Sequence, residues 1–286
     1  MTVYPLRVRL AIGRRFAACL PFVLALATSL HAQLPFYTDD PAVTEKGTLH
    51  FEFFNEFDSL QVPQYPNLRQ NTANYKVNYG LPHNLELDLD SPYLAIYRAL
   101  AAPEASSAGI GDTNLGLKWN FHKENLKSRM PALGASFYVE FPTGSLNKQL
   151  GSGITDYALN LIAQKHLNEK TRVNGNAGIL FAGNTSTGVL GIQSTHGRVI
   201  TGGVSLLHDF SSKWTLGTEV YGGFTTNAGL GKSQVQVMAG GLFNIRDGLA
   251  VSFGVLGGKY IASPRIGAQI GFAVDFPAVL HSPPVK

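Results

Sequence analysis

From residue 47 onward, apolar and polar residues alternate one by one in segment after segment. Beyond the first thirty residues, no run approaches the ~20 apolar residues of a membrane-spanning helix. A period of two sends successive side chains to opposite faces of an extended chain. Leu49, Phe51, Phe53 and Phe57 alternate with His50, Glu52 and Glu56, and Leu85, Leu87 and Leu89 with Glu86, Asp88 and Asp90. Ala73 to Tyr79 and Leu115 to Phe121 repeat the pattern, and further segments lie near 131–141, 154–167, 171–182, 197–209, 213–225, 233–245, 249–260 and 265–276. The reading is twelve strands and no long amphipathic helix.

The connectors alternate as well. Long polar stretches at 58–70, 99–111, 142–153 and 183–196 are interleaved with short turns at 80–84, 167–170 and 209–212, and Arg246-Asp247-Gly248 is a hairpin signal. Short turns at one end, longer loops at the other and an even strand count are the build of an outer-membrane barrel. Aromatics gather at two levels, with Tyr79, Phe121, Phe210, Trp214, Phe243 and Phe276 at one. Phe57, Tyr97, Phe141, Tyr157, Phe181, Phe224 and Tyr260 mark the other. Paired girdles of this kind sit at the two membrane interfaces, which favours a membrane barrel over a soluble all-β protein. The expected fold is therefore all-β, a closed antiparallel transmembrane β-barrel of about twelve strands, in the bacterial outer membrane.

Residues 1–32 carry Arg7, Arg9, Arg14 and Arg15, no acid, and an uncharged run from Phe16 to Leu30, the pattern of a secretory signal peptide. The remaining chain has nineteen basic and nineteen acidic residues, so the basic balance belongs to the leader, and no nucleic-acid footprint remains. The lone cysteine, Cys19, excludes a disulfide scaffold. Residues 33–46 precede the barrel at 47–276 and can either remain in the periplasm or fold inward as a plug. Residues 277–286 form a tail after a strictly alternating last strand that ends on Phe276, as in strands read by the outer-membrane assembly machinery.

Side chains in phase with the lumen include Glu52, Lys76, Glu86, Asp88, Lys118, Glu140, Asp156 and Arg172, the candidates for a constriction. A turn centred on Pro82 would set Lys76 opposite Asp88 and Asn78 opposite Glu86. Such pairing is how charges persist in a narrow lumen. No His-x-Ser spacing and no His or Cys pair at metal-ligand spacing occurs, so neither an enzyme, a metal nor a cofactor is expected. Gly109-Ile110-Gly111-Asp112 and Gly151-Ser152-Gly153 lie where loops re-enter strands, which favours turn chemistry over phosphate binding. The many mid-strand glycines admit two readings, bend relief or a wall that leaves lumen space.

The chain resembles the outer-membrane β-barrels associated with meta-pathway phenol degradation, the MetA family, described as transporters. The resemblance rests on Thr38-Asp39-Asp40-Pro41, then Gly109-Ile110-Gly111-Asp112 leading into Lys118-Trp119. It continues through Glu140-Phe141-Pro142-Thr143-Gly144, Gly151-Ser152-Gly153 with Asp156, and the Gly-rich C-terminal strands. It implies an outer-membrane barrel admitting aromatic or other hydrophobic compounds. The expected function is passive uptake of a small-molecule solute, with outer-membrane lipid and the assembly machinery as partners. A structural or surface-interaction barrel without transport is the alternative, and an outer-membrane hydrolase is a third reading.

Overall fold

A computed structural model describes residues 35–181, 197–225 and 234–276; the leader, the C-terminal tail and two loop segments lie outside the described residues. The strands are β1 (Leu49–Ser59), β2 (Asn67–Leu81), β3 (Leu85–Arg98), β4 (Ser107–Ile110), β5 (Thr113–His122), β6 (Ala132–Phe141) and β7 (Asp156–Asn168). They continue with β8 (Thr171–Phe181), β9 (Arg198–Asp209), β10 (Trp214–Phe224), β11 (Gln234–Arg246), β12 (Leu249–Lys259) and β13 (Ile266–Phe276). Each pairs antiparallel with its neighbours, and β1 closes the sheet on β13 from Leu49↔Phe276 to Ser59↔Ile266. Both β4 and β5 pair with β3, one beyond the other, so the thirteen strands make twelve staves. Between Asp90↔Asn114 and Tyr93↔Ile110, three steps along β3 are matched by four along its partner, a bulge at Gly111-Asp112.

The alternation resolves as an inside-out barrel. Leu87, Leu89, Leu115, Leu117 and Trp119 face outward and exposed, while Glu86, Asp88 and Lys118 on the same strands are buried inside. A soluble barrel would have the opposite polarity; this one presents its apolar face to lipid in the outer membrane. No helix among the described residues is long and apolar enough to cross a membrane. The aromatic levels hold on the outer surface, where Trp214 packs against Phe243 with ring centroids 4.6 Å apart and Phe57 lies 6.3 Å from Tyr97.

Two expectations need correction. The connector placed at 58–70 is only 60–66, because β1 and β2 continue through polar residues beyond the apolar band. The β2–β3 turn is centred on His83 rather than Pro82, with His83 and Asn84 both at positive φ. Lys76 therefore lies opposite Asp90, and Asn78 opposite Asp88. The two-residue slide preserves which face each side chain occupies, so the inward set survives the error.

Candidate functional site: the barrel lumen

The inward positions divide into two sectors of different chemistry. On β1 to β7 the wall is charged. Glu52, Glu86, Asp88, Lys118 and Asp156 are buried there, with Lys76 across from Asp90 and Glu140 across from Asp156. His50 stands between two carboxylates, its Nδ1 2.5 Å from Asp275 Oδ1 and its Nε2 3.0 Å from Glu52 Oε1, which ties β1 to β13 at the closing seam. Arg172, half-buried on β8, pairs with Asp209 at 2.9 Å near the short-turn end, away from the charged sector. On β9 to β13 the inward positions are mixed: Leu207, Met238, Leu242, Ala250, Leu256 and Ala273 are buried among glycines and the polar Ser205, Glu219, Gln236, Ser252 and Gln269.

Residues 35–46 run between these sectors. Pro35 to Thr38 lie against the β9–β12 wall, where a Cβ on Gly203, Gly217 or Gly240 would come within 3.0 Å of Thr38, Phe36 or Pro35 respectively. Phe36 clusters with Leu207, Met238 and Leu256. Glu219, at the middle of β10, accepts the backbone amides of Tyr37 and Thr38 at 3.0 and 2.8 Å. The Tyr37 hydroxyl donates to Glu56 Oε2 at 2.7 Å. Asp39 then meets Lys118 Nζ at 3.0 Å, with Glu86 3.8 Å away on its other side, and Pro41 packs over Gly134. Thr44 N donates to Glu86 Oε2, and Gly47 N to Gly80 O, before β1 begins. A segment that touches β9–β12 at one end and β2–β6 at the other crosses the lumen.

At the long-loop end, the motifs of the family resemblance converge. Asp112, turned by the bulge, accepts Gly144 N at 2.9 Å with Oδ1 and Ser152 N at 2.7 Å with Oδ2. Gly151 lies so close that a Cβ would stand 2.2 Å from Asp112 Oδ1. Two loop amides of the kind that cradle an anion are thus engaged by the chain's own carboxylate, which favours turn chemistry. Asp112→Ala would strand one buried and one partly buried donor and should cost on the order of 1–3 kcal/mol, with Asp112→Asn losing less. The temperature at which the boiled-type gel migration appears would check this.

Glu52, Glu86, Asp88, Lys118 and Asp156, which alternation puts in phase with the lumen, are buried, and alternation does not select Phe36, Tyr37, Leu207, Met238 or Leu256. One signal is in the sequence, since β9–β12 carry apolar residues at both parities, with polar residues interspersed at the inward one. Among the described residues, no group of three or more His, Cys, Asp or Glu is arranged to hold a metal ion.

A sequence model of the family described as putative MetA-pathway of phenol degradation matches residues 38–276. No curated protein matches the chain. Among solved structures, the chain is similar to the COG4313 outer membrane channel from Pseudomonas putida F1, with a TM-score of 0.61 and 15% identity over 83% of this chain and 98% of that one. It is also similar to the NanC porin, with a TM-score of 0.53 and 8% identity over 79% and 98% of the two chains. The KdgM porin, solved in complex with disordered oligogalacturonate, gives a TM-score of 0.52 and 10% identity over 79% and 99%.

Proposed function

The chain belongs to the family of the MetA pathway of phenol degradation, and we propose that it is a passive outer-membrane channel for small solutes, hydrophobic and aromatic compounds among them. The observation that carries the reading is the state of the inner wall. Asn174 Oδ1, Asn176 Oδ1, Ser205 Oγ, Gln236 Nε2, Ser252 Oγ and Gln269 Oε1 are buried side-chain atoms on inward positions with no hydrogen-bond partner among the described residues. Buried polar groups are nearly always satisfied, so a wall that leaves this many of them unpaired by its own side chains fits a lumen whose hydrogen bonds are completed by water or solute. Twelve staves also enclose more room than the eight-stranded barrels filled by side chains, and less than the wide aqueous porins. Glu52, Lys76, Glu86, Asp88, Lys118, Glu140 and Asp156 then line the charged side of the passage, and passage follows the gradient. The family description and the similarity to channels and porins support the same reading, as they support a protein without enzymatic turnover.

Planar-bilayer recording and liposome swelling test it. The purified barrel should conduct ions and pass a phenol faster than a sugar of similar size, and Lys76→Ala should change ion selectivity. Silence toward phenols, short fatty acids and sugars alike would leave a structural barrel. Flux untouched by Lys76→Ala and Asp88→Ala would leave the channel and remove these two as lining residues.

A further inference from the structure

We propose that Phe36 is a built-in stand-in for the solute: its ring fills a subsite on the inner wall of β9–β12 that takes the ring or short alkyl chain of a neutral, hydroxyl-bearing compound once the segment withdraws. The inference deepens the channel reading and rests on it. The subsite has apolar sides, Leu207, Met238 and Leu256, each at least nine-tenths buried. Its floor is backbone. A Cβ on Gly217 would stand 3.0 Å from Phe36 Cζ, and one on Gly254 would lie 3.5 Å from Pro35 Cβ, so the glycines leave a recess one side chain deep. At Gly217 a Cβ would also stand 2.6 Å from Leu206 O, so close backbone approach and room for the ring both call for glycine there.

Polar groups border the recess in the pattern an alcohol or phenol needs. Gln236 is the next inward position along β11 from Met238, and Ser252 the next along β12 from Gly254. Both are almost fully buried, and Gln236 Nε2 and Ser252 Oγ have no partner among the described residues. Beside them, Glu219 and Glu56 are engaged by Tyr37 and Thr38, and both regain open acceptor oxygens when the segment leaves. A ring in the Phe36 position keeps that side chain's contacts with Leu207, Met238 and Leu256, and Glu219, the next inward position along β10 from Gly217, is the acceptor beside it for a hydroxyl. Segment and solute therefore compete for one place, and the solute opens its own path by displacing the ring.

The lone cysteine, Cys19, lies upstream of the barrel, so Cys19→Ser gives a background for a single reporter thiol. Met238→Cys places the thiol in the subsite, Leu207→Cys is a second reporter should the first fail to fold, and heat-modifiable migration checks folding. The reporter should react slowly with a small methanethiosulfonate reagent while Phe36 is present. Adding Phe36→Ala should speed the reaction about tenfold or more, the equilibrium factor for removing one buried aromatic side chain. In that variant, 4-propylphenol should slow the reaction in a dose-dependent way and glucose should not. A Ser136→Cys thiol on the opposite wall should be unaffected by 4-propylphenol. An unchanged rate after Phe36→Ala, no effect of 4-propylphenol, or equal protection at position 136 would overturn the proposal. Bilayer flux in the same variants keeps the two ideas apart. Protection without flux retains the subsite and removes the channel, and flux without protection does the reverse.

Discussion

Removing residues 35–41 should raise the single-channel conductance several-fold while leaving the barrel folded. The segment crosses the lumen from the β9–β12 wall to Lys118 and Gly134, and a lumen of twelve staves has little room beside it. The closing ladder does not depend on it: β1 pairs with β13 and with β2 along its whole length, and none of those pairs involves residues before Leu49. Heat-modifiable migration should therefore survive the deletion. A milder version is Glu219→Ala, which takes away the acceptor of two backbone amides and loosens the segment at mid-barrel. It should produce frequent transitions between the parental conductance and the larger one, because the Asp39 and Tyr37 anchors persist. An unchanged conductance in the deletion would put the obstruction elsewhere, at the loops folded over the mouth. There Leu150 is buried against Leu94 and Ile96, and Gln64 donates to Ile261 O.

The strands and the inward charges were legible because a barrel wall obeys one rule, alternation, and each strand states it again. Glu86, Asp88 and Lys118 could be assigned to the lumen from parity alone, and a register error of two residues at the His83 turn did not disturb that. The exact pairing was not legible, because Pro82, His83 and Asn84 can center a turn on either of the first two residues, and only the left-handed conformations of His83 and Asn84 fix the choice. The path of residues 33–46 was left open for a related reason. Phe36 and Tyr37 declare no period in so short a segment, and their partners, Leu207, Met238 and Glu219, lie over 160 residues away in sequence. The apolar subsite was hidden because the inward parity of β9–β12 mixes Leu207, Met238 and Leu256 with glycines and polar residues, so no single run of apolar residues marks it. Asp112 was visible only as part of a Gly-rich turn; its role appears once the loops at 142–155 fold back on it.

Lys118→Met should be the most damaging single substitution in the lumen. The ammonium is 1% exposed and is held by Asp39 at 3.0 Å and Glu86 at 3.8 Å. Methionine replaces its volume with an apolar chain of similar length, so packing on the wall is largely kept and the loss is electrostatic. Two buried carboxylates then face each other without the cation between them. Breaking a buried ion pair by removing one partner typically costs about 3–5 kcal/mol, because the remaining charge is left uncompensated. Part of this strain can be relieved, since Asp39 sits on the crossing segment and can swing away, whereas Glu86 is fixed on β3 and keeps its bonds from Thr44 N and Asn78. The variant should therefore unfold at lower denaturant concentration and also conduct more, as though the segment were partly removed. Asp39→Asn added to Lys118→Met removes one of the stranded charges and should recover part of the stability without closing the channel. Recovery of stability with full closure would mean that the segment is held by Glu219 and Phe36 alone, and that the Lys118 pair serves the wall.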